Sequence, residues 1–190
     1  MSLDENSFSI FLDTIKKFVD NKLIPREEEV AETNSIPEDI VEEMKNIGLF
    51  GISIPTEYGG SNLSMEQEVK LTFELGRASP AFRSIAGTNI GIGSQTIVMS
   101  GTDEQKQKYL PKFSTGEIIG SFALTEPDSG SDAMSITTSA KKVGNEYLIN
   151  GTKRYITNAP IAGVFSVMAR TKEEKSSSSI SCFLVDSKLP

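Results

Sequence analysis

The chain has 190 residues, 37% of them apolar and 24% charged, with one cysteine and no histidine. That length supports a buried core in one or two domains, and 19 basic against 26 acidic residues leave a net charge of −7 with no basic stripe, which argues against nucleic acid as a partner. Without histidine, Ser–His and Cys–His catalytic pairs are excluded and no metal site is expected.

The lone Cys182 cannot form an internal disulfide, which suits a reducing compartment. No apolar run reaches membrane-spanning length and no basic-then-apolar secretion signal opens the chain, so a cytoplasmic address is expected. Met1-Ser2-Leu3 reads as an expression remnant.

In chain order, Phe8, Phe11, Leu12, Ile15, Phe18 and Val19 fall at helical spacing and predict a first amphipathic helix. Pro25 marks its end or the start of the next, and residues 26–32 read as an acidic, solvated face. Pro37 suits a first helical turn, with Ser35 as a candidate cap. Ile40, Val41, Met44 and Ile47 continue the apolar stripe until Gly48 stops it. Glu57-Tyr58-Gly59-Gly60 is a turn. Ser64 and Gln67 predict a capping box, opening a helix that carries Val69, Phe73 and Leu75. Residues 81–100 form a further helical stretch rich in Ala86, Gly87, Gly91, Gly93 and Ser94, which signals either close helix packing or a cavity. Gly91-Ile92-Gly93 is no dinucleotide fingerprint, because no strand–turn–helix unit surrounds it. Thr102 and Gln105 make a second capping box.

Near residue 115 the periodicity changes to strands, predicted over 118–124, 136–143, 147–150, 153–157, 164–170 and 180–185. Gly144-Asn145 is a two-residue hairpin turn, and residues 172–179 read as an exposed loop. Lys141, Lys142 and Lys153 read as surface decoration of the strands.

Between Ile119 and Asp132 an apolar strand runs into Thr125-Glu126-Pro127 and then a loop of Asp128, Ser129, Gly130, Ser131 and Asp132. Pro127 donates no backbone hydrogen bond. Gly130 permits unusual backbone angles and close approach of a ligand. Such a strand end offers N–H groups and hydroxyls to a polar or anionic ligand; a plain strand–turn is the alternative.

FALTEPDSGSD, from Phe122 to Asp132, resembles the signature of the acyl-CoA dehydrogenase family. Gly151-Thr152-Lys153-Arg154-Tyr155-Ile156-Thr157-Asn158 is similar to the family's second flavin segment, and the helix from Gly101 to Pro111 to the one that precedes the signature. The resemblance implies an α+β chain. Its N-terminal α-helical, bundle-like domain would span 1–115, and an antiparallel β-barrel-like domain, incomplete at the C-terminus, 116–190. The family's catalytic glutamate lies in a following four-helix domain, so no catalytic residue is expected in this chain.

By the same resemblance, the cofactor is FAD, gripped by Phe122, Leu124, Thr125, Gly130, Ser131, Tyr155, Ile156 and Thr157. Thr125 is implied to meet the pyrimidine edge of the flavin. Tyr155, in place of the usual tryptophan, is implied to cover one ring face. Thr157 is expected to point the same way as Tyr155 along a strand. Ser131 is implied to contact flavin phosphate or the CoA part of a substrate, and Gly91 and Ile92 to leave room for an acyl chain. Core packing for Phe122 and Leu124, turn capping for Ser131 and a cross-strand pair for Tyr155 are the structural alternatives. The implied reaction is FAD-dependent α,β-dehydrogenation of an acyl-CoA thioester. The implied partners are an acyl-CoA, an electron-transfer flavoprotein and further copies of the chain in a dimer or tetramer. The other functions open to such a sequence are a non-catalytic thioester- or partner-binding module and a related acyl-CoA oxidase or flavin monooxygenase.

Overall fold

The apolar stripes of the first half do organise helices. The computed structural model describes residues 2–174 and 176–189; readings made at Met1, at Lys175 in the 172–179 loop and at Pro190 lie outside the described residues. The chain divides into two compact units, Met1–Ile118 and Ile119–Pro190.

In the first unit, helix α1 (Glu5–Phe18) starts at Asp4, whose carboxylate accepts the Ser7 N–H at 2.9 Å, and buries Phe8, Ile15 and Phe18. The helical path continues through a wide π turn, Val19–Leu23, and a 3-10 turn, Ile24–Arg26, that accommodates Pro25. Helix α2 (Glu27–Thr33) ends at Asn34 in the left-handed region, φ 52°. Helix α3 (Glu38–Asn46) follows Pro37, with no side-chain cap from Ser35; it buries Ile40 and Met44 and stops at Gly48, φ 81°. Gly60 packs so near the Ile54 carbonyl that a Cβ there would lie 2.0 Å from the oxygen, so steric necessity and not only turn preference demands glycine.

Helix α4 (Met65–Leu75) opens with both bonds of the Ser64–Gln67 capping box. Its core face is Leu71 and Leu75, whereas Phe73 is 76% exposed. At 3.6 residues per turn Phe73 sits roughly 200° around the axis from Leu71, on the opposite face. Helices α5 (Pro80–Thr88) and α6 (Ser94–Ser100) form one helical run interrupted by a π turn, Asn89–Gly93. The fully buried Asn89 amide donates to the Phe113 carbonyl at 3.2 Å and the Phe50 carbonyl at 3.4 Å. The Ile90 carbonyl within the turn accepts the hydroxyls of Ser53 at 2.6 Å and Ser94 at 3.1 Å. Helix α7 (Asp103–Ser114) begins with the Thr102–Gln105 capping box. Phe50, Phe82 and Phe113 anchor the core among these elements.

The second unit is a five-stranded sheet: β1 (Gly120–Ala123), β2 (Ser139–Val143), β3 (Glu146–Asn150), β4 (Val164–Arg170) and β5 (Ile180–Asp186). It is mixed rather than all antiparallel. Strands β2 and β3 form the hairpin across Gly144, φ 62°, and β4 pairs antiparallel with β5 from Val164↔Asp186 to Arg170↔Ile180. Strand β1 pairs parallel with β4, Gly120↔Val164 to Ala123↔Val167, and β2 meets β4 in parallel at Ser139↔Arg170. The long connection from β1 to β4 lets β4 enter from the same end as β1, which a hairpin cannot do. No strand forms over 153–157, and β1 ends before Leu124.

Candidate functional site

Where β1 ends, the backbone turns sharply. Glu126 and Ser129 exchange main-chain hydrogen bonds of 2.9 and 3.3 Å around Pro127 and Asp128. The Ser129 hydroxyl donates to the Asp132 carbonyl at 2.6 Å, and the Ser135 hydroxyl to the Asp132 carboxylate at 2.5 Å. Gly130 and Ser131 stand exposed at the tip. A Cβ at Gly130 would meet nothing within 4 Å, and its φ is not positive. The open main chain, not an unusual angle, is what glycine contributes there.

Beneath the loop lies a group that the sequence reading passed over. The Glu126 side chain is turned inward and the residue is 5% exposed. Its carboxylate accepts the Thr137 N–H at 2.6 Å, the Thr137 hydroxyl at 2.7 Å, the Thr138 N–H at 2.8 Å and the Lys153 ammonium at 2.9 Å. Burial pushes this carboxyl up. The Thr138 side chain, the Thr137 N–H, Lys153 and the Thr138 N–H together pull it down by more, holding it far below the usual carboxylate range. Thr138 Oγ1 itself is buried with no hydrogen-bond partner among the described residues; the hydroxyl bonded to Glu126 is that of Thr137.

Lys153, read from sequence as surface decoration, is nearly buried: its side chain is 12% exposed. The signal for it was chemical rather than periodic. A glutamate beside an apolar strand and a proline cannot be buried without a cation or several donors. Lys153 also donates to the Leu124 carbonyl at 2.9 Å. Next to it the Arg154 N–H donates to the Thr125 carbonyl at 2.9 Å, and the Ser121 hydroxyl donates to the Thr157 carbonyl at 2.6 Å. These bonds lay the segment from Lys153 to Thr157 along the end of β1. Two of its main-chain groups, the Arg154 N–H and the Thr157 carbonyl, are spent there and not on a strand ladder. Tyr155, φ 58°, and Asn158, φ 65°, take left-handed angles that break the regular alternation. The expectation that Tyr155 and Thr157 point the same way along a strand is therefore not met.

Tyr155 is 77% exposed, with the Arg154 guanidinium 4.5 Å from its ring centroid. Thr157 is exposed, while Phe122, Leu124, Thr125 and Ile156 are half-buried. The structure thus gathers Phe122, Leu124, Thr125, Tyr155, Ile156 and Thr157 on two adjoining segments, with Gly130 and Ser131 on the loop that leaves the first. Gly91 and Ile92 belong to the other unit. Gly91 lines a cavity of about 120 Å³ with Leu49, Ile52, Leu71, Ala86 and Ile90, and Glu68 and Arg83 also face it. Ile92 does not line it and is exposed.

These residues fit a flavin in their chemistry. An exposed aromatic ring backed by a guanidinium suits stacking on a flat ring system. Two threonines supply hydroxyl donors, and the loop tip leaves main chain uncovered by any Cβ contact, as approach of a phosphate requires.

Residues 7–117 match the family model for the acyl-CoA dehydrogenase N-terminal domain, and residues 121–190 the model for the acyl-CoA dehydrogenase middle domain. An acyl-CoA dehydrogenase of Bacillus subtilis is 35% identical over 176 residues, covering 93% of this chain and 46% of that protein. The mitochondrial isovaleryl-CoA dehydrogenase of Pongo abelii is 36% identical over 181 residues, covering 93% of this chain and 43% of its own length. A solved glutaryl-CoA dehydrogenase from Mycobacterium smegmatis, in complex with FADH2, superposes with a TM-score of 0.87 at 33% identity, covering 99% of this chain and 47% of that one. The chain spans somewhat less than half the length of these relatives.

Proposed function

Because the chain belongs to the acyl-CoA dehydrogenase family, we propose that it serves the FAD-dependent α,β-dehydrogenation of an acyl-CoA thioester. The observation that carries this reading is the stitching of the two motifs. Lys153 on Leu124, Arg154 on Thr125 and Ser121 on Thr157 set Thr125 and the Tyr155–Thr157 segment side by side at one strand end. When bound, FAD supplies the acceptor for the hydride leaving Cβ. Thr125 and Thr157 would hold it through hydroxyl and main-chain donors, which favour the negative charge of a reduced ring. Tyr155 would cover one ring face, with Phe122, Leu124 and Ile156 as apolar support. Gly130 and Ser131 would receive phosphate or the CoA part of the substrate.

The family resemblance assigns the proton-abstracting carboxylate to a helical domain outside these residues, so no base is proposed among them. The cavity beside Gly91 is the proposed space for an acyl chain; Ile92, which does not line it, is a less direct candidate. An electron-transfer flavoprotein as electron acceptor, assembly into a dimer or tetramer, and a cytoplasmic place in fatty acid metabolism complete the reading.

These 190 residues without that base are proposed to be inactive alone and to hold FAD weakly, so the test is anaerobic addition of short, branched and dicarboxylic acyl-CoA esters to the flavin-loaded protein in which the base-bearing helical domain follows this chain. Loss of the visible flavin absorbance with at least one ester is expected, and a slower or weaker response in the Thr125→Val variant. A protein that takes up no flavin, or whose flavin no ester reduces, overturns the proposal.

A further inference from the structure

Thr125 carries much of the site yet rests on a short, irregular stretch beyond the end of β1. Something other than a strand ladder must fix it. Two peptide units flank its Cα. The first joins the Leu124 carbonyl to the Thr125 N–H in one plane, and Lys153 Nζ holds that carbonyl at 2.9 Å. The second begins with the Thr125 carbonyl, which takes the Arg154 N–H at 2.9 Å. Both peptides are thus gripped from behind by two consecutive residues of the other motif. The grip on the first is a cation, and a cation on a carbonyl oxygen polarises the N–H at the far end of the same peptide. Glu126 in turn fixes the ammonium at 2.9 Å while its other acceptor sites are filled by Thr137 and Thr138.

We propose that Lys153 is a positioning residue: its ammonium, held by Glu126, clamps the Leu124–Thr125 peptide and so fixes the donors that Thr125 offers to a flavin. The flavin in this statement rests on the function proposed above; the clamp itself does not. The competing role is plain ion-pair stability, in which Lys153 does no more than neutralise a buried carboxylate.

A pair of variants separates the two roles. In Glu126→Gln there is no carboxylate left to neutralise; the amide oxygen can still accept from Lys153, which also keeps the Leu124 carbonyl. Adding Lys153→Met to that background removes a nearly buried charge that has no counter-ion, so heat stability should hold or rise. If the clamp is real, the double variant nonetheless exchanges the Arg154 amide hydrogen at least tenfold faster than Glu126→Gln, measured by NMR. It also binds FAD at least tenfold more weakly by fluorescence titration. Arg154 amide exchange that is unchanged or slower overturns the clamp. Faster exchange with equal FAD affinity in both variants overturns the positioning of the cofactor. If the wild-type chain takes up no FAD, the flavin reading fails instead, and the exchange comparison alone decides the clamp.

Discussion

At Glu126 two effects of opposite sign meet, and their balance is visible in pH dependence. Burial disfavours the charge, while N–H donors, a hydroxyl and an ammonium favour it, and the donors win. The folded carboxyl therefore titrates below its unfolded counterpart, which titrates near about 4.3. The unfolded chain takes up the proton first as pH falls. The stabilisation is complete above the unfolded value and is lost as pH drops from there toward the folded one. Urea unfolding at about pH 7 and about pH 4 should show wild type losing more stability on acidification than Glu126→Gln. Equal losses would mean that the carboxylate is not held as described. Asp4, Asp39 and Glu66 are also lowered by their hydrogen-bond partners, but they are present in both chains and cancel in the difference. Thr125 could be picked out by motif alone. Lys153 could not, because a lysine's spacing says nothing about which carbonyl or carboxylate its long stem will reach.

Among the elements, legibility follows locality. The two capping boxes were readable because both partners lie within one turn, and each forms with both bonds present. Ser64→Ala and Thr102→Ala should each cost about 1 kcal/mol, read as a lower denaturant midpoint at unchanged slope; an unmoved midpoint would show that the caps add nothing. Gly144-Asn145 and the β4 strand were readable for the same reason. Residues 153–157 were misread as a strand: the Arg154 N–H goes to the Thr125 carbonyl, and Tyr155 takes a left-handed angle that no strand allows. Phe73 is apolar yet exposed, while α4 buries Leu71 and Leu75. An apolar residue marks a buried face only when its angular position agrees with its neighbours.

For the molecule as a whole, the division into Met1–Ile118 and Ile119–Pro190 gives the first unit its own core around Phe50, Phe82 and Phe113. A polypeptide ending at Ile118 should therefore fold alone, with a helical circular dichroism spectrum and a cooperative melt; a gradual, non-cooperative melt would show that its core is insufficient. The sequence by itself determined the helical-then-β order, the two capping-box helix starts, the stop at Gly48, the hairpin and the family, because each is written in residues close together along the chain. Only the tertiary structure decided that β1 runs parallel to β4, that Tyr155 and Thr157 leave the ladder, and that Glu126 and Lys153 lie buried together. Those outcomes depend on which distant groups satisfy each other once water is excluded, and pairing across such separations leaves no periodic trace in the sequence.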